Sequence, residues 1–385
     1  MLPLLLSALH VFNDMFSSFL APLLPRLQTN FGVSYAAISL VVAVYSFSSS
    51  LLQPVAGLIA DRYDRRLMAA LGPVLVLFAF GMLGFYPNVY LLAALLALAG
   101  LGSALFHSSG AALVGQYAPA HRKGFWLSFF GSSGMFGIAS APIISLGVAN
   151  TVGLTGLAWL IPLGLIPAVL LLRQAPPANV DAKPSSFQDL ARVFRGEVAK
   201  LWAISTLRNI TFVSFSTTIP FWFTQRGIPD ASMAVALTVY SMAGVVGAFV
   251  GGTLSDHIGR KTIMVGTALG VIPLYILLLL LAPEQWLYIP VLALSGALMN
   301  AGIPVAVVMA QTHEPRQIAT VSGLMMGFTW GFAGLFYGVV GPLIERFGVV
   351  ETLSVLGILL VPALTIAITL QEQPAESQTE TARAS

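Results

Sequence analysis

The stretch Gly57-Leu58-Ile59-Ala60-Asp61-Arg62-Tyr63-Asp64-Arg65-Arg66 has a second copy, Gly252-Thr253-Leu254-Ser255-Asp256-His257-Ile258-Gly259-Arg260-Lys261, 195 positions further along the chain. The same shift pairs Pro25 with Pro220, Gly32 with Gly227, and Tyr45-Ser46 with Tyr240-Ser241. A nearly equal shift pairs Gly100 with Gly296, Pro119 with Pro315 and Gly131 with Gly327. Only 9% of the residues are charged, so coincident Asp and Arg positions are not a product of composition. The chain is a duplication of one unit, both copies running in the same orientation.

Around these stretches the sequence is apolar. Of 385 residues 57% are hydrophobic, whereas a soluble domain carries roughly 25% charged residues. The predicted fold class is an all-α polytopic membrane protein with twelve transmembrane helices in two six-helix pseudo-symmetric halves. The spans are expected at 3–25, 36–60, 67–86, 89–117, 124–149 and 152–172, then 201–224, 231–255, 262–282, 286–312, 318–344 and 349–370, each near the roughly 20 residues that cross a bilayer. The expected domains are an N-terminal half 1–172, a central linker 173–200, a C-terminal half 201–370 and a disordered polar tail 371–385. The linker, with Phe187, Leu190 and Phe194 among Arg192, Arg195 and Lys200, reads equally as a short helix on the membrane face or a solvated tether. Met1 to Leu6 is apolar from the start, and is read as part of the first span, not a removable signal.

Orientation follows from the basic residues. With the N-terminus inside, fourteen of the 18 Lys and Arg fall in cytoplasmic segments, Arg26, Arg226 and Arg346 fall outside, and Arg208 lies within a span. This asymmetry predicts both termini in the cytoplasm, and it accounts for the net charge of +3 without nucleic acid. The chain has no cysteine, which removes disulfides and thiolate chemistry. Gly259-Arg260-Lys261-Thr262 lacks P-loop spacing, and neither an enzyme nor a metal site is expected.

The repeated stretch resembles the loop motif G-x-x-x-D-R-x-G-R-R/K of the major facilitator superfamily, with Asp64 in place of a glycine and His257 in place of a basic residue. Within that superfamily, His10-Val11-Phe12-Asn13-Asp14-Met15, Ser50 to Gly57, Leu105-Phe106-His107 and Val321 to Phe328 resemble the fosmidomycin-resistance branch of exporters. That branch often continues its Phe-His with Pro-Glu, where this chain has Ser108-Ser109. The resemblance implies alternating access in a bacterial-type inner membrane by a monomer. It also implies proton-driven efflux of a small drug-like or anionic compound, with the proton gradient in place of any cofactor. An uptake symporter or facilitator, and a receptor that transports nothing, are the alternatives. The motif residues Asp61, Arg62, Arg65, Arg66, Asp256, Arg260 and Lys261 are expected to form a conformational switch, in which each Asp can pair with the basic residue four positions on or face the positive N-terminus of a neighbouring helix in one conformation only. Lipid anchoring is the plainer explanation of the basic ones.

Four ionisable side chains lie inside the spans: His10, Asp14, His107 and Arg208. Each costs on the order of 2.5–3.5 kcal/mol if charged in lipid, and in the resemblance all sit on cavity-lining helices. Asp14, with His10 and His107, is the expected proton-coupling group. A permanent ion pair of Asp14 with Arg208 or with a protonated histidine, which only holds the halves together, is the competing expectation. Arg208, Asn13, Asn209, Asn300, Tyr45 and Tyr240 are candidate substrate contacts, although packing explains Asn300 and the tyrosines as well. Gly131, Gly134 and Gly137, Gly244, Gly247 and Gly251, and Gly323, Gly327 and Gly331 recur at helix-face spacing and are expected to smooth contacts between the halves. Trp222, Trp286 and Tyr288 are expected as interfacial anchors.

Overall fold

Every predicted span coincides with a helix or a broken helix in the computed structural model, which describes residues 1–53, 55–56, 63–119, 122–176 and 193–372. In the first half these are α1 (Leu2–Ser17 and Leu20–Phe31), α2 (Tyr35–Ser46 running into Phe47–Leu51), α3 (Arg65–Gly81), α4 (Val89–Tyr117), α5 (Lys123–Val152) and α6 (Ile161–Gln174). In the second they are α7 (Gly196–Gln225), α8 (Asp230–Ile258), α9 (Arg260–Leu280), α10 (Tyr288–His313), α11 (Ile318–Gly323, Leu324–Phe328 and Thr329–Phe347) and α12 (Val349–Gly357 and Leu360–Ile368). Nine helices among the described residues are long and apolar enough to cross a membrane.

Local chemistry explains the boundaries. Ser34 and Asn88 cap α2 and α4 by accepting the amides of Ala37 and Leu91. Asp64, the departure from the loop motif, caps α3: its carboxylate accepts the Arg66 amide at 2.9 Å and pairs with the Arg66 guanidinium at 3.0 Å. The duplication reappears in the turns, where α1 and α7 end at matched glycines with φ of +62° and +68° at Gly32 and Gly227, a left-handed conformation that a Cβ disfavours. α7 begins at Gly196, not 201, so the end of the expected linker is helix; of the other linker residues named above, Phe187, Leu190 and Arg192 lie outside the described set. The start of the tail is held, with Gln371 donating its amide to Glu197 at 3.0 Å. Burial pushes the Glu197 carboxyl up, but Lys200 and the Gln371 amide pull it down further, leaving it below the ordinary carboxylate range. This contact is complete at neutral pH and is lost only as acid protonates Glu197.

The apolar core is shared at one end and divided at the other. One buried cluster draws on both halves, from Met15, Phe16, Leu23 and Val41 to Phe215, Tyr240, Tyr337 and Leu353. A second lies wholly in the C-terminal half, around Leu201, Ile204, Met309 and Met325, and a third wholly in the N-terminal half, around Leu6, Leu9, Phe106 and Phe130. The halves are therefore joined at the end that carries Arg26, and their cores separate toward the end that carries the linker. Polar contacts join the halves at the Arg26 end, among them Arg26 with Asp230, Gln225 Nε2 to the Tyr35 hydroxyl (2.9 Å), the Ala36 amide to Glu345 (2.8 Å), and the Ser39 hydroxyl to the Gly338 carbonyl (3.5 Å).

The glycine stripes divide differently from the expectation. Gly134 and Gly137 lie against α1 within their own half, and Gly244, Gly247 and Gly251 against α10 within theirs. Only α11 presents its glycines to the other half, where Gly327, Gly331, Gly334, Gly338 and Gly341 face Gln53, Ser50, Ser46, Ala43 and Ser39. This seam was only partly visible because equal spacing does not say which neighbour a helix face meets. Of the three expected anchors, Trp222 and Tyr288 are buried in the shared core and only Trp286 is exposed.

Because a Cβ at Gly334 would overlap the Ser46 side chain, Gly334→Leu is expected to wedge the seam apart, at an overpacking cost of about 1–3 kcal/mol. Thermal unfolding in detergent measures the cost. Asp230→Asn is expected to loosen the Arg26 end, raising the labelling rate of a single cysteine introduced there into this cysteine-free chain.

Candidate functional site

Three of the four ionisable side chains within spans converge. His10 and Asp14 are one turn apart on α1 and meet through Nε2 and Oδ2 at 3.1 Å. His107 reaches over from α4 and places its Nε2 3.3 Å from the other oxygen, Oδ1. The imidazole rings stand edge to face, 5.1 Å apart. Asn13, fully buried, donates its amide to Asp14 Oδ1 (2.9 Å) and to the Ser103 hydroxyl (3.1 Å), tying α1 to α4.

The outer nitrogens of both histidines are committed. His10 Nδ1 lies 2.7 Å from the Phe130 carbonyl on α5, and His107 Nδ1 lies 2.8 Å from the Ser103 carbonyl. A carbonyl only accepts, so each Nδ1 carries the proton. Each Nε2 then faces a carboxylate oxygen, and either contact is attractive only with a further proton on it. The aspartate can hold one proton at most, so both contacts are attractive together only when the cluster holds two further protons, which would give it a net charge of +1. Removing one sets a nitrogen lone pair against an oxygen lone pair at 3.1 or 3.3 Å. The cluster also remains reachable, since His107 leaves 31% and Asp14 13% of the side chain accessible.

Its position is set by the division of the core. The residues one turn before, Leu6 and Leu9, belong to the core of the N-terminal half, while the next residues, Met15 and Phe16, belong to the shared core. The triad therefore sits at the level where the halves begin to part. Sequence reasoning missed Ser103, Phe130 and Gly134 as its supports. Ser103 is one turn before His107 on α4 and so was legible from spacing; the carbonyl of Phe130 carries no sequence signal. A Cβ at Gly134 would overlap His10 Nε2, so only a glycine lets α5 pass this close.

Arg208 is not part of this arrangement, which corrects the expected pair with Asp14. Its guanidinium is 3% exposed and donates to Thr267 Oγ1 (3.0 Å) and to the carbonyls of Leu298 (2.6 Å) and Met299 (2.9 Å), all in its own half. Gly302 makes room for it. Asn209 donates to Thr329 at 3.1 Å, Asn300 to the carbonyl of Gly296 one turn back at 3.0 Å, and Tyr240 is buried among Phe212, Phe215 and Tyr275. In this structure all four are engaged by contacts within their own half. Tyr45, only partly buried, borders Ser17, Ser49 and Ser103 beside the triad.

Of the loop residues, Asp61 and Arg62 lie outside the described set. Arg66 also reaches the carbonyls of Leu172 and Ala175. Asp256 is exposed and makes no ion pair with Arg260 among the described residues; Arg260 instead donates to Thr312 on α10 at 3.0 Å, and the Lys261 amide to Glu372.

The profile of the Major Facilitator Superfamily matches residues 6–338. The chain belongs to this superfamily. As a superfamily member it is a transporter. The fosmidomycin resistance protein of Escherichia coli (strain K12) is 28% identical over 350 residues, covering 87% of this chain and 84% of that one. The MFS-type transporter YfnC of Bacillus subtilis (strain 168), itself uncharacterized, is 25% identical, covering 91% and 89%. Among solved structures, a bacterial homolog of the human lysosomal transporter Spinster, inward-facing and occupied, superposes with a TM-score of 0.80 at 12% identity, over 97% of this chain and 98% of that one. The D-xylose-proton symporter gives 0.74 at 16%, over 96% and 97%; both likenesses establish the fold.

Gly134→Ala is expected to drive His10 off Asp14 and reproduce the functional loss of His10→Ala while the protein stays folded, as judged by monodisperse elution in detergent. Arg208→Ala is expected to lower the thermal midpoint, losing about 1.5–3 kcal/mol of charged hydrogen bonding, and to leave the proton response of the triad intact.

Proposed function

We propose that this transporter couples the proton gradient to efflux of a small drug-like or anionic compound by alternating access. One observation carries the reading: two imidazoles with committed outer N–H groups face the two oxygens of a single carboxylate at the level where the halves part. Such a cluster binds a proton and gains charge, or releases it and becomes internally repulsive, and either change biases the balance between two conformations. In its protonated form the net charge of +1 attracts an anion, a role that Arg208 does not take. The twelve helices are read as twelve crossings with both termini in the cytoplasm of a bacterial-type cell. The Arg26 end is then the outer face, and the state described is closed outside and parted inside. The relatives named for fosmidomycin resistance and for multi-drug efflux in Streptococcus pneumoniae support export.

Purified protein in liposomes with an imposed pH gradient tests the reading. Substrate movement is expected to follow the gradient and to lose at least about tenfold of its gradient dependence in Asp14→Asn. Movement indifferent to the gradient, or unchanged coupling in the variant, refutes it. Overproduction in cells is expected to raise tolerance to the exported compound; raised sensitivity would indicate uptake.

A further inference from the structure

We propose that His10, Asp14 and His107 also form a binding site for one divalent transition-metal ion of the zinc, cobalt or nickel class. The inference uses the same three side chains as the coupling reading but does not depend on it. Three bases from two helices converge, and one ligand atom from each lies within 4.8 Å of the others. Two donors on a tetrahedral ion with bonds of about 2.0–2.1 Å lie roughly 3.3 Å apart. Here the His10 and His107 Nε2 atoms lie 3.1 and 3.3 Å from the two different oxygens of Asp14, so the imidazoles need to close onto one another and onto a shared carboxylate oxygen to complete the set.

The surroundings are those of a ligand set. Metal-binding histidines characteristically donate the other ring N–H to a carbonyl or carboxylate, which fixes the tautomer and turns the free nitrogen to the ion. Both histidines do so here, toward Phe130 and Ser103. Asp14 is oriented in turn by the Asn13 amide, and Asn13 Oδ1 is buried without a hydrogen-bond partner in the same cluster. Two imidazoles and one carboxylate favour borderline transition ions over magnesium or calcium, which take mainly oxygen donors. With three protein ligands, a fourth position remains for water or a substrate oxygen on the accessible His107 side.

The test is titration of cobalt(II) into the tag-free, full-length chain in detergent micelles at neutral pH, read by its visible ligand-field bands. Saturable one-to-one binding, displaced by zinc, is expected. Its affinity should fall on the order of 100-fold in His107→Gln and in Asp14→Asn and stay unchanged in His257→Gln and His313→Gln. His107 is the most accessible of the three, so its variant removes a ligand without opening the core. Absence of cobalt binding in the parent protein, or equal binding in His107→Gln and Asp14→Asn, overturns the proposal. Proton uptake in metal-free liposomes separates the two readings. An intact proton response without cobalt binding removes the metal site alone, and cobalt binding without a proton response removes the coupling reading alone.

Discussion

A carboxylate held between two imidazoles in a weakly polar interior requires positive charge among them, and much of this structure supplies the conditions for that requirement. The outer nitrogens are tied to the Phe130 and Ser103 carbonyls, so the rings cannot turn away from Asp14. Asn13 fixes the carboxylate against α4. Gly134 lets α5 approach α1 closely enough for its carbonyl to serve. In lipid, where no hydrophobic effect draws helices together, close approach of small residues and interhelical hydrogen bonds take over that role.

The duplicated architecture makes the asymmetry of the site meaningful. Asn13 contacts Ser103, and their repeat counterparts Arg208 and Met299 are also in contact, between α7 and α10. The geometry is retained while the chemistry changes: the first copy holds a titratable triad, the second an arginine that pairs with no acid among the described residues and donates to two carbonyls and the Thr267 hydroxyl. Asp14 is matched by Asn209, which cannot titrate. The C-terminal half, tied internally by Arg208, and the N-terminal half, which carries the triad, share one core at the Arg26 end and separate beyond it.

Much of this was legible beforehand, for identifiable reasons. Helices announce themselves by length and hydropathy, and a buried charge is conspicuous because its cost in lipid demands a partner. That logic located His10, Asp14, His107 and Arg208, but it could not assign partners. Arg208 has the right type and depth to meet Asp14, yet it turns to Leu298 and Met299, whose backbone carbonyls accept its hydrogen bonds and are groups present in every sequence. For the same reason the Phe130 carbonyl was invisible. The glycine stripes show the converse: Gly134 and Gly244 have the same spacing as Gly334, and only the packing says that the first two serve their own half and the third the seam.

From the sequence alone came the duplication, the helical membrane character and the set of side chains whose charge needs explaining, because these depend on composition, periodicity and interval. The tertiary structure decided which of those charges meet, which copy carries the titratable cluster, and at which end the halves are joined. Those outcomes depend on the direction in which each helix face points and on main-chain groups that every residue shares, and neither is written in the identity of a side chain.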